Sequence, residues 1–137
     1  MSTQPIDQTP KTDILNLEAV KKLVDAFYEK VQEDYLLKDI FNERIGDQWS
    51  KHLEKMYRFW QTILLDEHTY SGSPFLPHAT LPVQKEHFQR WLQLFYETID
   101  ATFEGEKAEE AKKRAEKMAA MFHYKIEYFK EKSSKPI

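Results

Sequence analysis

Apolar residues return at spacings of three and four along most of this chain, and one proline-rich stretch, SGSPFLPHATLP at residues 71–82, interrupts them. That period belongs to the α-helix, and no segment alternates with period two over strand length, so the fold class is all-α. Leu17, Val20, Val24, Phe27 and Val31 share a face behind Asn16, whose side chain suits an N-cap. A short patch, LLKDIF, follows and ends near Asn42 and Gly46. Asp47 is the expected cap of the next helix, where Trp49, Leu53, Met56, Trp60 and Ile63 form the stripe up to about Leu65. Pro82 suits a first helical turn ahead of Phe88, Trp91, Leu92, Phe95 and Ile99, and Gly105 ends that helix. A last helix from Glu106 to about Lys130 sets Ala108, Ala111, Ala115, Met118, Phe122 and Phe129 on one side.

With 137 residues the chain makes one domain that buries roughly two thirds of its unfolded surface. Residues 1–13 and 131–137 are polar and proline-containing, and are expected as frayed tails around a domain at 14–130. There is no cysteine, which excludes disulfides, thiolate metal sites and cysteine nucleophiles; any metal must use nitrogen or oxygen. A net charge of -3 with mixed signs gives no basic stripe for nucleic acid or anionic membrane. The opening MSTQPIDQTP lacks a charged-then-apolar leader pattern and no apolar run approaches the ~20 residues of a membrane span, so a soluble, cytoplasmic protein is expected. Nine Phe, seven Tyr and three Trp make up 14% of the chain. Such a set suits either a heavy core or an interior lining a large flat guest.

The histidines decide between these. His68 and His87 sit among polar neighbours near helix ends and read as surface; His123 lies beside the last apolar stripe and reads as structural or half exposed. His52 stands one helical turn before Met56, either as a satisfied core-edge residue or as a site residue. His78 is fenced by prolines that restrict the backbone aiming it. Glu-x-x-His pairs and HExxH are both absent, so di-iron and zinc-protease sites fail on spacing. A single imidazole fits an iron whose in-plane ligands come from a cofactor, which is haem with His78 as its protein ligand.

From about Ile14 to Phe129 the sequence resembles the group III truncated haemoglobins, globins found largely in bacteria. The matching motifs are FY at Phe27 and Tyr28, IFN at Phe41, HLEKMYRFW at His52, Phe59 and Trp60, LPHATLP at His78, and HFQRWLQLF at Trp91. The paired glycines of the other truncated groups are missing, as the third group requires. The resemblance implies a two-over-two helical sandwich enclosing haem b (iron protoporphyrin IX). It also implies His78 as proximal ligand on a mostly irregular segment, with Tyr28, His52 and Trp91 on the distal side. Phe27, Phe41, Met56, Phe59 and Trp60 are then expected at or behind the haem, and Lys55 and Arg90 either within reach of a propionate or as solvated surface charges.

Tyr28 supplies an O–H, Trp91 an N–H, and neutral His52 both a donor and an acceptor, so the three can form a directed network around O2, NO or CO. The function implied is reversible binding of such ligands. Nitric oxide dioxygenation or peroxide-driven turnover could follow, with His52 acting as acid or base if it titrates near neutrality. An O2 carrier or gas sensor is the alternative, and a haem-free helical interaction module a further one. No GxGxxG motif is present, so catalytic turnover would draw electrons from a separate reductase.

Overall fold

The computed structural model describes residues 10–73 and 78–134. It contains α1 (Leu17–Glu33), α2 (Lys38–Ile45), α3 (Trp49–Leu65), α4 (Lys85–Thr102) and α5 (Glu106–Ser134), and no strand lies among the described residues. Helix α1 packs on α3 and α4 on α5, and the α1–α4 contact joins the two pairs into the two-over-two sandwich. The all-α reading holds.

Local chemistry explains most boundaries. Asn16 Oδ1 accepts the Ala19 N–H at 2.9 Å, and the buried Val20, Leu23, Val24, Phe27, Tyr28 and Val31 then fall on one side of α1. Gly46, at φ 58°, lets the chain turn out of α2 after Ile45. Asp47 is not the cap of α3: the flanking residue is Gln48, whose side-chain amide donates to the Asp47 carboxylate at 2.8 Å and occupies it. Pro82 lies three positions ahead of α4 rather than in its first turn. The start of α4 is set instead by His87, expected as plain surface, whose Nδ1 accepts the Gln84 backbone N–H at 2.9 Å.

At the ends, two expectations shift. Helix α5 continues to Ser134, so residues 131–134 belong to it and not to a tail. Its buried stripe is Ala108, Ala111, Ala115, Ala119, Phe122 and Ile126, while Phe129 stays 47% exposed against the ring of Tyr128. At the other end, residues 11–13 are not frayed. Thr12 bridges Phe103, its carbonyl accepts from Glu104 N–H at 3.0 Å, and the Asp13 carboxylate binds the start of α5. The expected tail at 1–9 and the prolines at 74 and 77 lie outside the described residues.

The interior divides in two. A large cluster from α1, α3, α4 and α5 includes Phe27, Tyr28, Phe59, Trp60 and Phe95, with Phe41, Trp49, Met56 and Trp91 half-buried against it. A small cluster of Leu81, Val83, Phe122 and Ile126 gathers Ile40, Ala79 and Phe88. Met118 packs against both.

Candidate functional site

The N-terminal half of α3 departs from a simple core stripe. Trp49, Leu53 and Met56 are only half-buried, whereas Phe59, Trp60 and Leu64 further along are buried. The half-buried part faces the large cluster beside His52. Trp49 and His52, three residues apart, share that face, and their rings lie 5.7 Å apart at 88°. Tyr28 of α1 meets His52 edge to face at 4.9 Å, and Trp49 at 5.9 Å. Phe41 of α2 approaches Tyr28 at 6.3 Å. From α4, Trp91 stands on edge to Phe27 at 5.3 Å and stacks on Phe95 at 5.5 Å. Tyr28, His52, Phe41, Phe27 and Trp91 thus converge from four helices.

His52 is the anomaly of this group. Its Nε2 is sealed from solvent and has no hydrogen-bond partner among the described residues. Buried polar atoms are paired almost without exception, because losing water without replacement costs about 1–3 kcal/mol. Burial pushes the His52 imidazole down to about 4, and the positive charge that His78 and Lys55 would add acts the same way. The neutral form of the His52 imidazole is therefore the one its burial favours. Burial likewise raises the Tyr28 hydroxyl above its ordinary value, so it remains an O–H donor.

His78 sits on the other side of the divided interior. Its ring lies 4.8 Å from Phe122 of α5, and its carbonyl accepts the Leu81 N–H at 3.1 Å. Two cations hold the irregular segment that follows: Arg44 of α2 donates to Thr80 Oγ1 at 3.1 Å, and Lys130 of α5 to the Val83 carbonyl at 3.1 Å.

The remaining candidates divide. Met56 is half-buried, and Lys55 is exposed beside His52. Phe59 and Trp60 are core residues, Trp60 stacking on Phe95 at 5.2 Å and Phe59 standing on edge to Tyr70 at 5.3 Å. Arg90 donates to Tyr35 Oη at 2.9 Å and pairs with Asp34 at 3.6 Å.

The bacterial-like globin family profile matches residues 13–125. The chain belongs to that family. It is 37% identical over 116 residues to the group 3 truncated hemoglobin ctb of Campylobacter jejuni, covering 82% of this chain and 91% of that one. The crystal structure of a group III truncated hemoglobin from the same organism superposes with a TM-score of 0.79 at 36% identity, over 85% of this chain and 95% of the other. The globin is thus a haem-binding protein of the truncated class, a family that takes small gaseous ligands. Among the described residues no helix is long and apolar enough to cross a membrane.

Sequence reasoning missed two contributors to this globin's site. Trp49 reads as part of a core stripe, although its spacing of three from His52 is a readable signal. The pairing of Phe122 with His78 had none, because it joins residues 44 positions apart by packing alone.

Proposed function

We propose that this globin holds haem b with His78 as the iron's protein ligand, grips O2 with Tyr28, His52 and Trp91, and uses that O2 to oxidise nitric oxide. Electrons come from a separate reductase. The observation that supports this most is the unpartnered Nε2 of His52, a buried polar atom without purpose unless a polar guest enters beside Tyr28. Aromatic and thioether side chains left half-buried at Phe41, Met56 and Trp91 suit a large flat ring. Haem would supply an iron that shifts charge onto a bound diatomic ligand.

The chain's own residues do the rest. Tyr28 donates its O–H, Trp91 can only donate, and neutral His52 orients whichever hydroxyl or ligand atom meets Nε2. Lys55, exposed three residues after His52, supplies the cation for a propionate. Phe59 and Trp60 stiffen the wall from behind. Several donors around one ligand favour retention over release, which suits an oxidant kept until a second reactant arrives and suits carriage poorly.

Stopped-flow mixing of the oxygenated globin with nitric oxide tests this. One fast turnover should give ferric protein and nitrate, with a second requiring reduction. Slow first turnover together with rapid spontaneous O2 release would leave carriage or sensing as the function. For the ligand, His78→Gly should lose haem and recover its spectrum with added imidazole; an unchanged ferrous spectrum without imidazole would overturn the assignment.

A further inference from the structure

We propose that Arg90 and Asp34 form a positioning brace that fixes Trp91 relative to Tyr28 and thereby sets how firmly a polar diatomic ligand is held. The inference rests on Tyr28 and Trp91 being the ligand's donors. Asp34 ends α1 in an extended conformation, its backbone N–H bound to the Val31 carbonyl. Its Oδ2 accepts the backbone N–H groups of Leu36 and Leu37, each at 3.1 Å, which turns the chain toward α2. Its Oδ1 faces Arg90 Nη1 at 3.6 Å. The other arm of the same guanidinium donates to Tyr35 Oη at 2.9 Å, with its carbon 5.1 Å from the Tyr35 ring centroid.

Burial separates this pair from ordinary surface ion pairs. Exposed pairs contribute little, but the Asp34 side chain is only 7% exposed and Arg90 26%. A carboxylate so enclosed needs its cation, since removing one partner leaves the other charged and poorly solvated. The guanidinium therefore ties α4 to the α1–α2 corner. Those three elements carry Trp91, Tyr28 and Phe41, and Leu37, buried at the corner, immediately precedes α2. Arg90 is the residue before Trp91, whose indole has ring contacts with Phe27 and Phe95 but must keep its N–H aimed by the placement of α4 itself. Lysine could neutralise Asp34, yet it has no fork to serve Asp34 and Tyr35 together.

The test uses the full haem-loaded chain with Arg90→Gln, Asp34→Asn, Arg90→Lys and Trp91→Phe, alone and with Arg90→Gln. The C–O stretching band of the carbon monoxide complex reads donor placement, O2 release reads retention, and amide exchange at Leu36 and Leu37 reads the corner. Arg90→Gln and Asp34→Asn should split or broaden the band, speed exchange at the corner, and release O2 about three- to tenfold faster, with haem content unchanged. Arg90→Lys should fall between these variants and the parent, and carries the comparison if Arg90→Gln fails to retain haem. Arg90→Gln should add nothing in the Trp91→Phe background. Faster corner exchange with an unchanged band and unchanged release overturns the positioning role, as does an undiminished effect in Trp91→Phe. If Trp91→Phe and Tyr28→Phe themselves leave release unchanged, the donor assignment falls instead, and the brace's link to ligand holding falls with it.

Discussion

Removing the carboxylate of Asp13 should unseat the start of α5. Helix α5 begins at Glu106, and the N–H groups of its second and third residues, Lys107 and Ala108, donate to Asp13 Oδ2 and Oδ1 at 2.9 and 2.8 Å; Ile14 N–H adds a third bond at 2.9 Å. Asp13 is thus an N-cap supplied from more than ninety residues away, and it acts on unpaired donors at the positive end of the helix dipole. A lost cap costs about 0.5–2 kcal/mol and the dipole interaction about 0.3–1, so Asp13→Ala should destabilise the protein by about 1–3 kcal/mol. At about 3–6 °C per kcal/mol for a domain of this size, the midpoint falls by roughly 3–18 °C. Asp13→Asn, which keeps an acceptor but no charge, should lose less. The pH dependence has a definite sign. Burial works to raise the Asp13 carboxyl, but the N–H donors of Lys107, Ile14 and Ala108 outweigh it and hold the group below its ordinary 3.8. A depressed carboxylate stabilises fully above its unfolded value and loses that contribution as pH falls through the folded one. Thermal melts followed by far-UV circular dichroism at equal haem saturation should therefore show the parent–variant gap intact at pH 7 and 5 and closing below about 4. A gap that persists undiminished at pH 2, or one below about 0.5 kcal/mol at pH 7, would refute the cap. Gly105→Ala offers an independent check: at φ 141° and with its added Cβ overlapping the Asp13 side chain, it should displace the same carboxylate.

His52→Leu should stabilise the haem-free protein by about 1–2 kcal/mol in denaturant melts, since it removes an unpartnered buried nitrogen, while speeding O2 release from the loaded one. A loss of stability would mean that Nε2 is satisfied in solution. Phe122→Ala, which empties the space beside His78, should cost about 3–5 kcal/mol and accelerate haem transfer to a scavenging apoglobin. Haem transfer at the parent rate would separate Phe122 from any proximal role.

Much of this was legible in the sequence because it is periodic or locally encoded. The face of α1 follows from Val20, Val24, Phe27 and Val31 with Asn16 as cap, and all five behave as their spacing dictates. Motif matches likewise anticipated the family, and Tyr28 meets His52 and Phe41 ring to ring while Trp91 joins them through Phe27. What failed were features decided by a distant partner. Asp47 is chemically a good cap but gives its carboxylate to Gln48, whereas Asp13, in a segment that reads as a tail, caps a helix across the chain. The contacts of Arg90 with Asp34 and Tyr35, more than fifty positions away, are likewise visible only in the fold.

The segment around His78 shows the same distinction in the place where function depends on it. Prolines restrict a backbone by removing conformations, but they cannot aim it at a point in space; aiming needs bonds to something fixed. Pro82 is exposed and outside α4, so its stiffness alone leaves the direction of the segment undetermined. That direction comes from Arg44 reaching Thr80 out of α2, Lys130 reaching the Val83 carbonyl out of α5, and Phe122 against the imidazole itself. Both helices also contribute to the walls of the divided interior, α2 through Ile40 and Phe41 and α5 through Met118 and Phe122. The same elements that pack the two clusters thus hold the residue proposed to bind iron. An irregular segment can then carry a rigid ligand without being a helix, provided its neighbours are helices.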